Sequence, residues 1–180
     1  MDKQWFSRTK LSNKKQTELQ QLFDDLKTKI DGSKYYKLVF RSGGSIGANA
    51  FALPDGTIVF TDEIINLTDN KLDITSIMLH EIGHLKNRHS LRATIQQSSL
   101  AIFIIAITGD VSTSSSIITA IPFMLVKSGF SQNMETEADS YALNYMHKYN
   151  IDPNHFATMM EKLEASFSDE YTNCIKKSKK

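Results

Sequence analysis

This chain lacks the residues that several functions would need. It has a single cysteine, Cys174, in 180 residues. One thiol makes no internal disulfide and no thiolate metal site, so any bound metal must be held by imidazoles and carboxylates. It also lacks an excess of either charge. With 21 Lys+Arg against 20 Asp+Glu, the net charge is +1, which excludes binding nucleic acid by general phosphate neutralisation. Long apolar runs are missing too: the longest, Leu100 to Ile107, covers eight residues. As a helix that is roughly 12 Å, well short of the roughly 30 Å of a bilayer core. The opening MDKQWFSRTK leads into no apolar stretch, so it does not read as a secretory signal.

What is present describes one folded domain. A hydrophobic content of 41% with almost no net charge excludes disorder, and the length suits a single core spanning residues 1–180. Leu19, Leu22, Phe23, Leu26 and Ile30 recur at helical spacing, with Gly32 as a stop. Tyr35 to Arg41 reads as a strand. Ala48 to Leu53, the turn Pro54-Asp55-Gly56 and Thr57 to Thr61 read as a β-hairpin. Asp62 is placed to cap a short helix through Leu67, and Asp73 a long one through His80 towards Leu100. Further helices are expected over Ser131 to Tyr149 and from Asp152-Pro153 onward, the last with Phe156, Met159, Met160, Leu163 and Phe167 on one face. The fold class is therefore α+β, mostly helical with a small sheet. The apolar runs Leu100–Ile107 and Ile117–Val126 read as two helices packed on the core. A surface dipping into a membrane, or docking on a membrane-embedded partner, is the alternative.

The chemistry concentrates at His80-Glu81-Ile82-Gly83-His84. On a helix, positions i and i+4 share a face, so both imidazoles point to one place and make good zinc ligands. Glu81 sits beside them, able to reach a metal-bound water without displacing a ligand, as a general base must. Ile77, Met78, Ile82 and Leu85 supply apolar packing. Gly83 costs about 1 kcal/mol in a helix relative to Ala, which makes sense if another backbone comes close. A catalytic site needs a third protein ligand. His89, five residues beyond His84, points to another side of a continuous helix. Glu135 and Asp139, one turn apart, fit better: Glu135 as third ligand, Asp139 as acceptor of a ligand's ring N–H, with Ala138 allowing close approach. Glu137 points the other way and reads as a solvated charge.

Three segments together resemble zinc metallopeptidase family forty-eight, a gluzincin family: Asn49-Ala50-Phe51-Ala52-Leu53-Pro54-Asp55-Gly56, His80-Glu81-Ile82-Gly83-His84, and Glu135-Thr136-Glu137-Ala138-Asp139-Ser140-Tyr141-Ala142. The match in order and spacing runs from about residue 10 to 167, leaving 168–180 as a basic tail. The resemblance implies a zincin-like domain with one Zn2+ on His80, His84 and Glu135, and Glu81 as base. It implies that Asn49, Ala50, Phe51 and Ala52 form an edge strand that takes a polypeptide substrate in extended form. Quality control of membrane or envelope proteins is the expected setting, in the periplasm, on a membrane or in the cytoplasm. A zinc-stabilised polypeptide-binding module without proteolysis is the competing expectation. The family's late His-Pro segment and following Arg have no counterpart here, so the oxyanion-stabilising group stays open among His147, His155, Tyr141 and Tyr145. Membrane segments ahead of this core are not legible either, as expected of an excised catalytic domain.

Overall fold

The computed structural model describes residues 7–30, 35–108 and 130–178. Strand β1 (Ser7–Arg8) leads into helix α1 (Asn13–Ile30), which buries Leu19, Phe23 and Leu26. Strand β2 (Lys37–Ser42) follows, then β3 (Ala50–Ala52) and β4 (Thr57–Thr61). The sheet order is β1-β2-β4-β3. β2 and β4 run parallel, pairing Leu38 with Ile58 and Phe40 with Phe60, while β3 runs antiparallel to β4 and is the last strand on that side of the sheet. The hairpin turn needs its glycine: Gly56 has φ +86°, and a Cβ there would lie 2.8 Å from the Tyr35 carbonyl oxygen. The sequence therefore placed the hairpin correctly.

Helix α2 (Asp62–Leu67) is capped by Thr61, whose Oγ1 accepts from the Ile64 N–H, and not by Asp62. The Asp62 carboxylate instead accepts from the Thr9 hydroxyl at 2.5 Å and the Lys10 N–H at 2.7 Å, pinning β1's exit to the body. Helix α3 (Lys71–Lys86) is capped by Asn70, whose side chain accepts from the Leu72 and Asp73 N–H groups. Every residue of α3 from Asp73 to His84 is buried. A helix enclosed on all sides needs no amphipathic stripe, and α3 is the axis on which the other elements pack. Ile74, Ile77, Met78 and Ile82 join Phe23, Phe60, Ile64, Met146 and Met159 in one core.

The expected single helix from Asp73 to Leu100 is broken. Helix α4 (His89–Thr108) starts after Asn87 and Arg88, and Arg88 takes φ +54°. The break redirects the chain, so spacing rules for a continuous helix do not apply across it. Residues Leu100–Ile107 are helical; the other half of the expected apolar hairpin falls within 109–129, outside the described residues. Among the described residues, no helix is long and apolar enough to cross a membrane.

Helix α5 (Gln132–Lys148) is capped by Ser131 and buries Met134, Ala138, Ala142 and Met146, a stripe at i, i+4 spacing. Helix α6 (Asn154–Ser178) buries Phe156 and Met159, leaving Phe167 largely exposed. His155 at its start lies 2.7 Å (Nδ1 to Oδ1) from the buried Asp73, tying α6 to the first turn of α3.

Candidate metal centre

The centre is assembled by one close helix crossing. A Cβ on Gly83 would stand 3.0 Å from the Ala138 Cα and 3.2 Å from the Tyr141 Cβ. Any side chain at Gly83 would hold α3 and α5 apart, so the two small residues let the backbones touch. That contact places Glu135, one residue beyond the buried Met134, at the rim of α5 facing the α3 imidazoles.

His80 Nε2 and His84 Nε2 lie 2.9 Å apart. Glu135 Oε2 lies 3.4 Å from the first and 3.8 Å from the second. Tetrahedral zinc with bonds of about 2.0–2.1 Å spaces neighbouring ligand atoms roughly 3.3–3.4 Å apart. The three edges bracket that value, so the donor set fits a small divalent cation. The imidazoles are buried, whereas Glu135 is 41% exposed, so the centre opens to solvent on the α5 side. Phe130 stacks on His84 at 4.2 Å and Phe156 on His80 at 5.6 Å, covering the ring faces.

Electrostatics divide the two rings in the metal-free protein. Burial works to discharge His80, but the Asp139 and Glu135 carboxylates beside it outweigh burial and hold it up to about 10. Burial, followed by the neighbouring His80 and His89, pushes His84 down to about 2. The carboxylates thus gather one positive charge into the pocket, as a cation site does. Asp139 Oδ1 lies 3.0 Å from His80 Nδ1, on the ring nitrogen turned away from Glu135. Glu81 is buried, and burial pushes its carboxyl up to about 7, His80 pulling it back and Glu135 adding to the rise. The Ala52 N–H faces this carboxylate, while Glu81 Oε2 takes no hydrogen bond among the described residues.

The edge strand is more committed than the sequence suggests. The N–H of Asn49 donates to Thr61 Oγ1 and its carbonyl accepts from the Thr61 N–H, so Asn49 faces β4. By antiparallel alternation Phe51 also faces β4, and Ala50 and Ala52 face outward. The Ala52 carbonyl already accepts from the Ser90 hydroxyl at 2.5 Å. Ala50 keeps both outward backbone groups open among the described residues. A cavity of about 540 Å³ between the hairpin turn and α4 touches His84 but neither His80 nor Glu135.

Two expectations are corrected. His89 is fully buried, its Nδ1 2.8 Å from His84 Nδ1, because the break at Arg88 folds α4 back. Glu137 is no free surface charge: it accepts from His89 Nε2 and from Arg92, both at 3.0 Å. The sequence carried one signal for this pair, a third histidine just past His84 beside the helix-breaking Asn87. Among the oxyanion candidates, the Tyr145 hydroxyl donates to the Ile30 carbonyl and His155 is held by Asp73.

A model of peptidase family M48 matches residues 13–173. The chain belongs to this family. Its M48 relatives include mitochondrial metalloendopeptidase OMA1 of Schizosaccharomyces pombe, 31% identical over 120 residues, 66% of this chain and 35% of the relative. The beta-barrel assembly-enhancing protease of Escherichia coli is 29% identical over 125 residues, 64% of this chain and 26% of the relative. Metalloprotease LoiP of Escherichia coli is 32% identical over 120 residues, 64% of this chain and 47% of the relative. The chain thus matches between about a quarter and a half of the length of these relatives.

Proposed function

We propose that the chain is a zinc-dependent endopeptidase domain of the M48 family. The observation that carries this reading is the convergence of His80, His84 and Glu135 at ligand spacing with a buried carboxylate, Glu81, beside them. His80, His84 and Glu135 would hold one Zn2+, and Asp139, 3.0 Å from His80 Nδ1, would fix that ring with Nε2 left for the metal. When bound, zinc supplies Lewis-acid polarisation of the scissile carbonyl and acidifies water to near neutrality.

Glu81 takes a proton from the attacking water at Oε2, which has no hydrogen-bond partner among the described residues, and delivers it to the amine nitrogen as the peptide C–N bond breaks. Burial raises its basicity, and the Ala52 N–H fixes its orientation. The substrate lies extended along β3, pairing with the outward groups of Ala50. Main-chain pairing reads shape more than sequence, which suits quality control of membrane or envelope proteins. The likeness to a protein named as a beta-barrel assembly-enhancing protease supports that setting.

One observation favours a second reading, a zinc-stabilised module that holds polypeptides without cutting them. The Tyr145 hydroxyl and His155 Nδ1 are engaged with Ile30 and Asp73, which narrows the four oxyanion candidates without assigning that group. One experiment separates the readings: bound metal and casein cleavage, with and without a chelator, on the wild type and Glu81→Gln. The endopeptidase predicts one zinc in both proteins and chelator-sensitive cleavage in the wild type alone. Metal without cleavage under any condition would establish the binding module.

A further inference from the structure

We infer that His89 and Glu137 form a positioning relay that sets the tautomer of His84 and so presents its Nε2 lone pair to the metal. This rests on the metal-site reading above. The geometry is a chain of three short contacts: Glu137 Oε2 to His89 Nε2 at 3.0 Å, His89 Nδ1 to His84 Nδ1 at 2.8 Å, and His84 Nε2 facing His80 Nε2 at 2.9 Å.

A neutral imidazole carries one N–H and one lone pair. Two ring nitrogens at 2.8 Å cannot both carry hydrogen, nor both be bare, so one donates to the other. An ionised carboxylate only accepts, and Arg92, 3.0 Å from the same oxygen, favours the ionised form. Glu137 therefore requires the hydrogen of His89 on Nε2. His89 Nδ1 is then the acceptor, His84 Nδ1 the donor, and His84 Nε2 is left bare. Reversing the chain would need a charged His89, in a ring with no exposure and beneath Phe130 at 5.9 Å; burial without water opposes that charge. Reversal would also put hydrogen on His84 Nε2, where it would block a metal. The relay would do for His84 what Asp139, 3.0 Å from His80 Nδ1, is placed to do for His80, and it exists only because Arg88 breaks the helix between His84 and His89.

The test uses the whole chain and two readouts besides cleavage. Ring nitrogen NMR of the metal-free protein reports the His84 tautomer, and competition with a chromophoric chelator reports zinc affinity. His89→Leu removes the acceptor in a similar volume and is expected to lose the Nδ1–H preference and weaken zinc binding by roughly 10–100-fold. His89→Gln, whose amide oxygen can still accept, restores most of both. Glu137→Ala, on the surface, shifts the tautomer in the same direction with a smaller loss of affinity, and it decides the matter should His89→Leu fail to fold. Wild-type tautomer and affinity in Glu137→Ala and in a folded His89→Leu would overturn the relay. A wild type that binds no zinc would sink the metal site instead, while the tautomer readout still judges the relay.

Discussion

A β-carbon on Gly83 would stand 3.0 Å from the Ala138 Cα and 3.1 Å from its carbonyl oxygen. Both are backbone atoms, which cannot swing aside as a side-chain tip can. Helix propensity alone favours alanine here by about 1 kcal/mol, so propensity and packing predict opposite signs for Gly83→Ala. Packing is expected to win. The variant should melt a few degrees lower and bind zinc roughly tenfold more weakly, because α5 carries Glu135 away as it yields. Calorimetry with a zinc competition assay measures both; a variant that melts higher and binds zinc normally would show the crossing to be slack.

Asp139 stands 3.0 Å from the His80 nitrogen that does not face Glu135. Asp139→Ala should cut zinc affinity roughly 10–100-fold and also lower the melting temperature of the metal-free protein near pH 7, because Asp139 helps to hold the buried His80 in its charged form. Asp139→Asn, which still offers an acceptor, should fall between. Equal affinity in all three proteins would show that His80 needs no such support.

Ala50 is the β3 residue whose outward N–H and carbonyl take no partner among the described residues, and on the proposed reading it pairs with a substrate strand. Proline is tolerated on an edge strand where its missing N–H faces solvent, so Ala50→Pro should fold and bind zinc as before. Losing one main-chain hydrogen bond, worth about 1 kcal/mol, should lower kcat/KM on casein or a peptide by roughly fivefold. The same substitution in an uncleaved control peptide assay should weaken binding in parallel. Unchanged turnover would place the substrate elsewhere.

Asp73 links α3 to α6 through His155 and ties down the Asp69 N–H at 3.1 Å. Burial alone would raise its carboxyl, but the His155 contact and the Asp69 and Asn70 backbone N–H groups outweigh burial and hold it below the ordinary 3.8. A depressed carboxylate stabilises the fold above its unfolded value and loses that contribution as pH falls through the folded one. Asp73→Asn should therefore cost about 1–3 kcal/mol at pH 7, and the gap from wild type should close as pH is lowered past 3.8. Urea titrations of the metal-free proteins at stepped pH test this; a gap constant with pH would mean the charge contributes nothing.

Local chemistry was readable from residue order alone. Imidazoles at i and i+4, the carboxylate pair Glu135 and Asp139, the Pro54-Asp55-Gly56 turn and the helix over Ser131 to Tyr149 all depend on backbone periodicity, which acts within one element. The α+β class and the family resemblance followed from those pieces. Cap positions were less legible, because Asp62 and Thr61, or Asp73 and Asn70, are equally good cap residues in isolation. Distant partners chose between them: Thr9 and Lys10 claim Asp62, and His155 claims Asp73.

Tertiary structure alone decided the rest. Whether Glu135 meets the imidazoles depends on how closely α3 and α5 cross, and that distance is set by what Gly83 and Ala138 lack. The burial that raises Glu81, the capture of the Ala52 carbonyl by Ser90, and the turning of His89 onto His84 all depend on where separate elements come to rest. One backbone angle, at Arg88, moved a histidine from the far side of a supposed helix to the back of His84. Periodicity fixes which side chains share a face, but only packing fixes which faces meet.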